Sequence, residues 1–441
     1  MSINNEAIIY TLNDPSTPDL VMSIQPLPLS SPPYFVNHYI GGTKDVNSKE
    51  YHAANCYTTI TCVLNYYNNT VPDFIKSWLC KTLKVMPVAF PGLNAMYTRD
   101  SIRLGYYKRQ EIGGCVFTAD SADIVSHELG HAILDSAMSR AFNSASFEVW
   151  SFHEAFADWT AIIGALSHDE IIRHVLDKTS GDLRQPNVVS NLAEQFGRAI
   201  YTLTKNTARS PDCLRSALND FQYVDPSTLP KKSSYDQLYL DSHSFGRVFL
   251  GTFYDMLVTI YEDSMSKWKT PVDALKEATA SLTKRIWVAV RNAPVNVHFY
   301  DSIAKTILWA EKTKFDNIYY EKFQDIFQKR NLIRPTLSAL SVPSRNHGSK
   351  ITLVPRTITT KIGNHFLRAQ SSNPSNPLYD AEVEIPYEQA YFYDNNSNFL
   401  DASVVSEESS LEAAQLMLEC LPVDDSPFSV RNGKLIRTHF T

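Results

Sequence analysis

Two histidines four residues apart, with a glutamate directly after the first, stand in the segment His127-Glu128-Leu129-Gly130-His131, inside the amphipathic stretch from Asp123 to Asp135. On a helix, residues four apart lie one turn above each other. Both imidazoles can then bind one zinc ion while Glu128 faces the remaining coordination position as a general base. Taken alone the pattern also fits a pair of surface histidines. A second apolar stretch, 147 to 166, argues against that, because Glu154 and Asp158 share one face there amid Trp150, Phe156, Trp159 and Ile162. Two carboxylates on an otherwise apolar helix are costly unless something satisfies them. A zinc ion on Glu154, with Asp158 accepting the free N–H of a ligand histidine, does so. The expected metal ligands are His127, His131 and Glu154, around one catalytic zinc ion.

The elements that must position these residues are helices. Beyond Asp120, helical patterns follow one another over 121–135, 147–166, 187–205, 243–264, 271–292, 296–314 and 319–330. Asp120 with Asp123 marks a helix start, and Pro271 opens another. Before Asp120 the chain is mixed. A helix is expected over 53–67 despite its β-branched residues, and the alternation Ser101, Ile102, Arg103, Leu104 predicts an edge or half-buried strand pair. The first fifty residues, rich in Pro, Ser and Asn, predict an irregular or short-stranded lead-in. The expected organisation is a lead-in over 1–52, a lobe over 53–136 ending in the His127 helix, a helical lobe over 137–335, and a small α/β unit over 336–441, where Ser, Pro and Asn rise again.

With 441 residues the chain can bury a large core and divide into several units. Its 44% hydrophobic and 20% charged residues, with a net charge of −6, are those of a globular protein. The 41 Lys and Arg are outnumbered by 47 Asp and Glu and form no basic run, which argues against nucleic acid as a partner. No segment approaches a membrane span, and the first twenty residues lack a signal-peptide pattern, so the expected location is the cytoplasm, or outside by a route without a cleaved signal. Six scattered cysteines with no CxxC pair predict free thiols.

Four further segments complete a family pattern. Glu154-Ala155-Phe156-Ala157-Asp158 places a third ligand on the helix after the His127 pair, and Asn94-Ala95-Met96-Tyr97 precedes both. Leu214-Arg215-Ser216, with Tyr223 and Asp225-Pro226, follows, and then His243. Singly, Asn94 is a turn residue, Arg215 a helix-flanking cation and His243 a helix cap. Jointly and in this order, over roughly residues 53 to 334, the chain resembles the thermolysin-like gluzincin metallopeptidases. The metzincin arrangement is excluded, because Leu134 and Ala137 occupy the places of its glycine and third histidine. The resemblance implies an α+β, two-lobed fold with a β-rich N-terminal lobe, a helical C-terminal lobe and the His127 helix between them. It implies an endopeptidase preferring an apolar residue after the cut. Glu128 would be the general base and His243 would stabilise the oxyanion. Arg215 would hold a substrate carbonyl, and Asn94 and Ala95 would align an extended peptide or protein substrate as an added strand. His153, His168 and His174 are assigned structural places.

The sequence departs from the family at four points. No tyrosine lies between 132 and 153, where the family places an oxyanion donor, and Phe142 falls at its position. Loss of one such donor costs about two to three orders of magnitude in turnover elsewhere, so modest activity, or a substitute donor, is expected. Leu238 stands where a carboxylate orients the catalytic histidine, with Asp241 a replacement. Asp123 matches a calcium-binding aspartate, but Ala165 replaces its partner glutamate, so calcium is not expected. No signal or inhibitory propeptide is recognisable. A zinc-binding regulatory protein with weak or no turnover, and an exopeptidase, remain the alternatives.

Overall fold

The computed structural model describes residues 8–17, 19–24, 36–37, 48–75, 78–80, 82–108, 114–144, 146–267, 270–335, 351–361, 381–419, 428–432 and 434–440. The lead-in contributes the antiparallel pair β1 (Ile8–Thr11) and β2 (Val21–Ile24), and β3 (Val36–Asn37). Between β1 and β2, Asn13 and Asp14 are fully buried. The Pro- and Ser-rich stretch that follows β2 lies almost wholly outside the described residues.

Helix α1 (Lys49–Thr70) runs past both ends of its expected span and is capped by Ser48, whose hydroxyl accepts from Tyr51 N. Its β-branched run survives because Thr58, Thr59, Ile60 and Thr61 are all buried, where packing outweighs propensity. Against it lies a sheet in the order β3, β4 (Leu83–Pro91), β6 (Ser101–Lys108), β5 (Ala95–Tyr97), with β7 (Cys115–Phe117) also on β6. The expected half-buried strand pair is present as β5 against β6, and β6 itself is interior: it pairs with β4 on one side and with β5 and β7 on the other. Alternation reports a difference between faces and says nothing about lateral neighbours. β3 and β5 lie at the two ends of this order.

The helical part comprises α2 (Ala122–Ala137), the single turn α3 (Ser139–Phe142), α4 (Phe147–Leu166), α5 (Asp169–Thr179), α6 (Glu194–Thr204), α7 (Ser242–Met265), α8 (Pro271–Asn292), α9 (Phe299–Lys314) and α10 (Tyr320–Lys329). Three local expectations fail. The cap of α2 is Ser121 rather than Asp120, and its hydroxyl binds Asp14 from the lead-in while Asp120 binds His52. Helix α5 was not anticipated, because its charged residues masked Ile171, Ile172, Val175 and Leu176, which are buried. The helix expected from 187 begins only at Glu194. Asn187 turns the chain by accepting from the amides of Val189 and Ser190, both at 3.0 Å, and the two-residue strands β8 (Asn191–Leu192) and β9 (Arg215–Ser216) then pair.

After Lys329 the described chain forms two small sheets. One has β10 (Ile351–Val354), β13 (Gln389–Tyr393) and β14 (Phe399–Ser403). The other has β11 (Thr357–Lys361), β12 (Glu382–Pro386), β16 (Lys434–Arg437) and β15 (Phe428–Arg431), and α11 (Glu407–Glu419) accompanies them. The first sheet docks on α9, where Trp309 Nε1 donates to Tyr393 O at 3.1 Å and buried Lys305 donates to Ala402 O at 2.9 Å. Beyond β16 the chain turns back to the central sheet, and Phe440 bridges to Tyr97. Cys56, Cys80, Cys115 and Cys213 are free thiols; Cys420 lies outside the described residues. No helix among the described residues is long and apolar enough to cross a membrane.

Candidate metal centre

The site is built where α2 crosses α4 and the start of α7 packs against α4 beside Glu154. α4 is buried along its whole length, so it runs through the core rather than along the surface. Close crossing depends on glycine. A Cβ at Gly130 would lie 2.7 Å from Ala157 Cα, and one at Gly246 would lie 2.8 Å from Ser151 O and 3.1 Å from Glu154 Cβ. These two positions let α2 and α7 approach α4 on either side of Glu154.

His127, His131 and Glu154 come together as expected: one ligand atom from each lies within 4.8 Å of the others, and all three residues are buried. His127 Nε2 and His131 Nε2 are 3.2 Å apart. Glu154 Oε2 has no hydrogen bond of good geometry, yet Nε2 of His127, His131 and His243 lies 3.3, 3.7 and 3.1 Å from it. Burial opposes its charge, but the imidazoles of His243, His131 and His127 hold the Glu154 carboxyl well below its usual range. Burial in turn pushes His131 well down, toward the neutral ring that a metal needs.

Outer partners orient the candidate ligands. Asp158 Oδ1 accepts from His127 Nδ1 at 2.8 Å, and Arg215 grips Asp158 with two contacts of 2.6 Å. Although burial disfavours it, Asp158 stays ionised because the Arg215 guanidinium lies against it. Burial also works against a charged His127, but Asp158 and Glu154 raise its pKa to about 9 in the metal-free arrangement, so metal binding must displace a proton from it. His131 Nδ1 lies 3.4 Å from His153 Nδ1. His153 is therefore a structural neighbour of the site, in contact with a ligand, which the sequence did not indicate.

Glu128 is buried and its Oε2 has no hydrogen-bond partner. Desolvation raises its pKa to about 8. It lines a cleft of about 370 Å³ together with Asn94, Ala95, His127, Arg215, Asp241 and His243, and with the apolar Leu93, Ile124, Leu192, Phe196, Ile200 and Leu214. All the expected substrate-side residues are thus brought to one cleft. Asp241 serves chiefly as the α7 cap, accepting from Ser244 N at 2.9 Å, and its Oδ1 stands 3.7 Å from His243 Nδ1. Asp123 uses both oxygens internally, accepting from Asn13 Nδ2 at 3.1 Å and Ala193 N at 2.9 Å.

Phe142 is fully buried, edge-on to Tyr97 and His153 and beneath the Arg99 guanidinium, so that position offers the cleft no hydroxyl. Asp135, one turn beyond His131, ties β5 to α2 by accepting from Tyr97 Oη at 3.0 Å and from Arg99 Nε at 3.1 Å. Its spacing on α2 was the one available signal for this role. No profile of a known protein family matches the chain, and a search of curated proteins returns no match.

Proposed function

We propose that the chain is a zinc-dependent endopeptidase of thermolysin-like organisation. One observation carries the reading. Three buried donors converge on one point beside a buried glutamate oxygen without a partner, at the wall of a cleft that also receives Arg215, His243 and a sheet edge. The donor set fits zinc: two imidazoles and a carboxylate held ionised, with Asp158 fixing His127 from behind. A zinc ion held by His127, His131 and Glu154 supplies Lewis-acid polarisation of a peptide carbonyl and a lowered pKa for an attacking water.

The protein groups do the rest. Glu128 takes the water's proton and delivers it to the leaving amide nitrogen, and its raised pKa suits a group that must hold a proton near neutrality. His243 donates to the oxyanion, and Arg215 holds the carbonyl beyond the scissile bond. Asn94 and Ala95 align the substrate as a strand, and the apolar cleft wall takes the side chain after the cut. Phe142 favours a second reading, a zinc-binding protein with weak turnover, since no hydroxyl replaces the missing donor at that position.

The deciding experiment compares zinc-loaded protein with Glu128→Gln on an unstructured protein substrate. Internal cleavage by the first, reduced by at least about a hundredfold in the second, is expected from loss of general-base catalysis. Equal activity in both, or none in either across several substrates, sinks the peptidase reading. Fragments trimmed only from an end would instead indicate an exopeptidase.

A further inference from the structure

The edge of β5 is already paired at one residue. Tyr97 N donates to Phe440 O at 3.1 Å and Phe440 N donates to Tyr97 O at 2.9 Å, an antiparallel pair made by the last described residue of the chain. By the two-residue alternation of a strand, the backbone groups of Ala95 face the same edge. Phe440 is fully buried, and its ring stacks on His153 at 4.1 Å and on the metal-ligand candidate His131 at 4.8 Å, with Phe142 edge-on at 5.1 Å. The Arg437 guanidinium lies over the Phe440 ring at 3.5 Å and over Trp150 at 4.3 Å.

Direction gives this contact its meaning. Running antiparallel to β5, residues 438 to 440 head from the Tyr97 end toward Ala95, that is, from His131 toward His127 and the cleft that Ala95 and His127 line. A polypeptide laid along the edge in that direction has its N-terminal side in the Phe440 pocket and its C-terminal side in the cleft, with the ligand trio between them. We propose that the pocket formed by His131, His153, Phe142 and Tyr97 is the subsite for a substrate residue preceding the cut, that it selects an aromatic side chain, and that Phe440 is its tethered resident occupant. Residues 438–440 must leave this edge before a polypeptide can bind. This rests on the peptidase reading for its name as a substrate site, but the binding competition it predicts does not require turnover.

The test uses the zinc-loaded full chain and a fluorescent peptide with the sequence of residues 434–440, Lys-Leu-Ile-Arg-Thr-His-Phe. A tethered competitor acts at millimolar effective concentration, so Phe440→Ala should bind the peptide about tenfold or more tightly than the natural chain, and Phe440→Tyr should restore weak binding. On a cleavable substrate, Phe440→Ala should lower KM with little change in kcat. Because Phe440→Ala also leaves a cavity at a fully buried position, hydrogen exchange on the natural chain supplies an independent readout: saturating peptide should release the protected amide of Phe440. Equal peptide affinity in the natural chain and Phe440→Ala, or a Phe440 amide still protected with peptide bound, overturns the proposal. Absence of cleavage with the binding difference intact would count against the peptidase reading alone; cleavage with identical KM in both chains would count against the tethered occupant alone.

Discussion

Glu154 lies among three imidazoles, buried, and without a hydrogen bond of good geometry at Oε2. Such an arrangement has little value as packing, since burying a carboxylate is expensive unless cations or a metal compensate it. Asp158 adds a second buried carboxylate, used to hold His127 through Nδ1 while Arg215 balances its charge. Removing that charge while keeping the shape isolates its contribution. Asp158→Asn is expected to weaken zinc binding about 10- to 100-fold, read by competition with a coloured chelator. An unchanged affinity would mean that His127 does not depend on Asp158 for its orientation as a ligand.

The elements that bring these residues together depend on two close helix crossings. At Gly130, a methyl group would meet the α4 backbone at Ala157 Cα at 2.7 Å and Thr160 Oγ1 at 2.9 Å, so it cannot be accommodated by a side-chain rotation alone. Gly130→Ala should therefore lower stability by about 1–3 kcal/mol through overpacking, despite the better helix propensity of alanine. It should also loosen the metal site, because His127 and His131 flank the displaced position. Thermal unfolding with and without zinc measures both effects. A Gly130→Ala protein as stable as the natural one would show that α2 and α4 can move apart freely. The prediction lives on packing, and a helix-propensity argument alone gives the opposite sign.

At the scale of the whole molecule, Glu148 at the start of α4 ties distant parts of the chain. It accepts from Tyr223 Oη at 2.8 Å and from Tyr300 N, at the start of α9, also at 2.8 Å. Burial is the main cause of its pKa rising from 4.5 to about 7. The folded state therefore holds a proton that the unfolded state releases. The corresponding stability is fully present below pH 4.5 and is lost as pH rises through about 7. In Glu148→Gln, which cannot ionise, that loss should vanish. Relative to the natural chain, the variant should gain on the order of 3 kcal/mol between pH 4.5 and 8. Denaturant unfolding of both chains at several pH values checks this, and parallel curves would show that Glu148 titrates normally in the fold. The metal-site groups are common to both proteins and cancel in the difference.

Much of the centre was legible because its logic is local. Helical spacing of four residues puts His127 over His131 and Glu154 over Asp158, and it requires only that two helices form. Apolar periodicity places α4, α7 and α8 close to their observed bounds. The chain could not announce that α5 hides an apolar face behind charges, or that β6 is interior, because both depend on neighbours distant in sequence. The joining of the two ligand helices at Gly130 and the placing of Asp135 beneath Tyr97 belong to the same class. So does the return of Phe440 to the β5 edge, where a pairing register between the middle and the far end of the chain leaves no periodic trace in either segment. Sequence by itself singled out the candidate ligands and base, since that follows from residue type and helical pitch. Only the tertiary structure decided what surrounds them, because burial, charge balance and occupancy of the sheet edge arise from contacts between segments that local spacing does not encode.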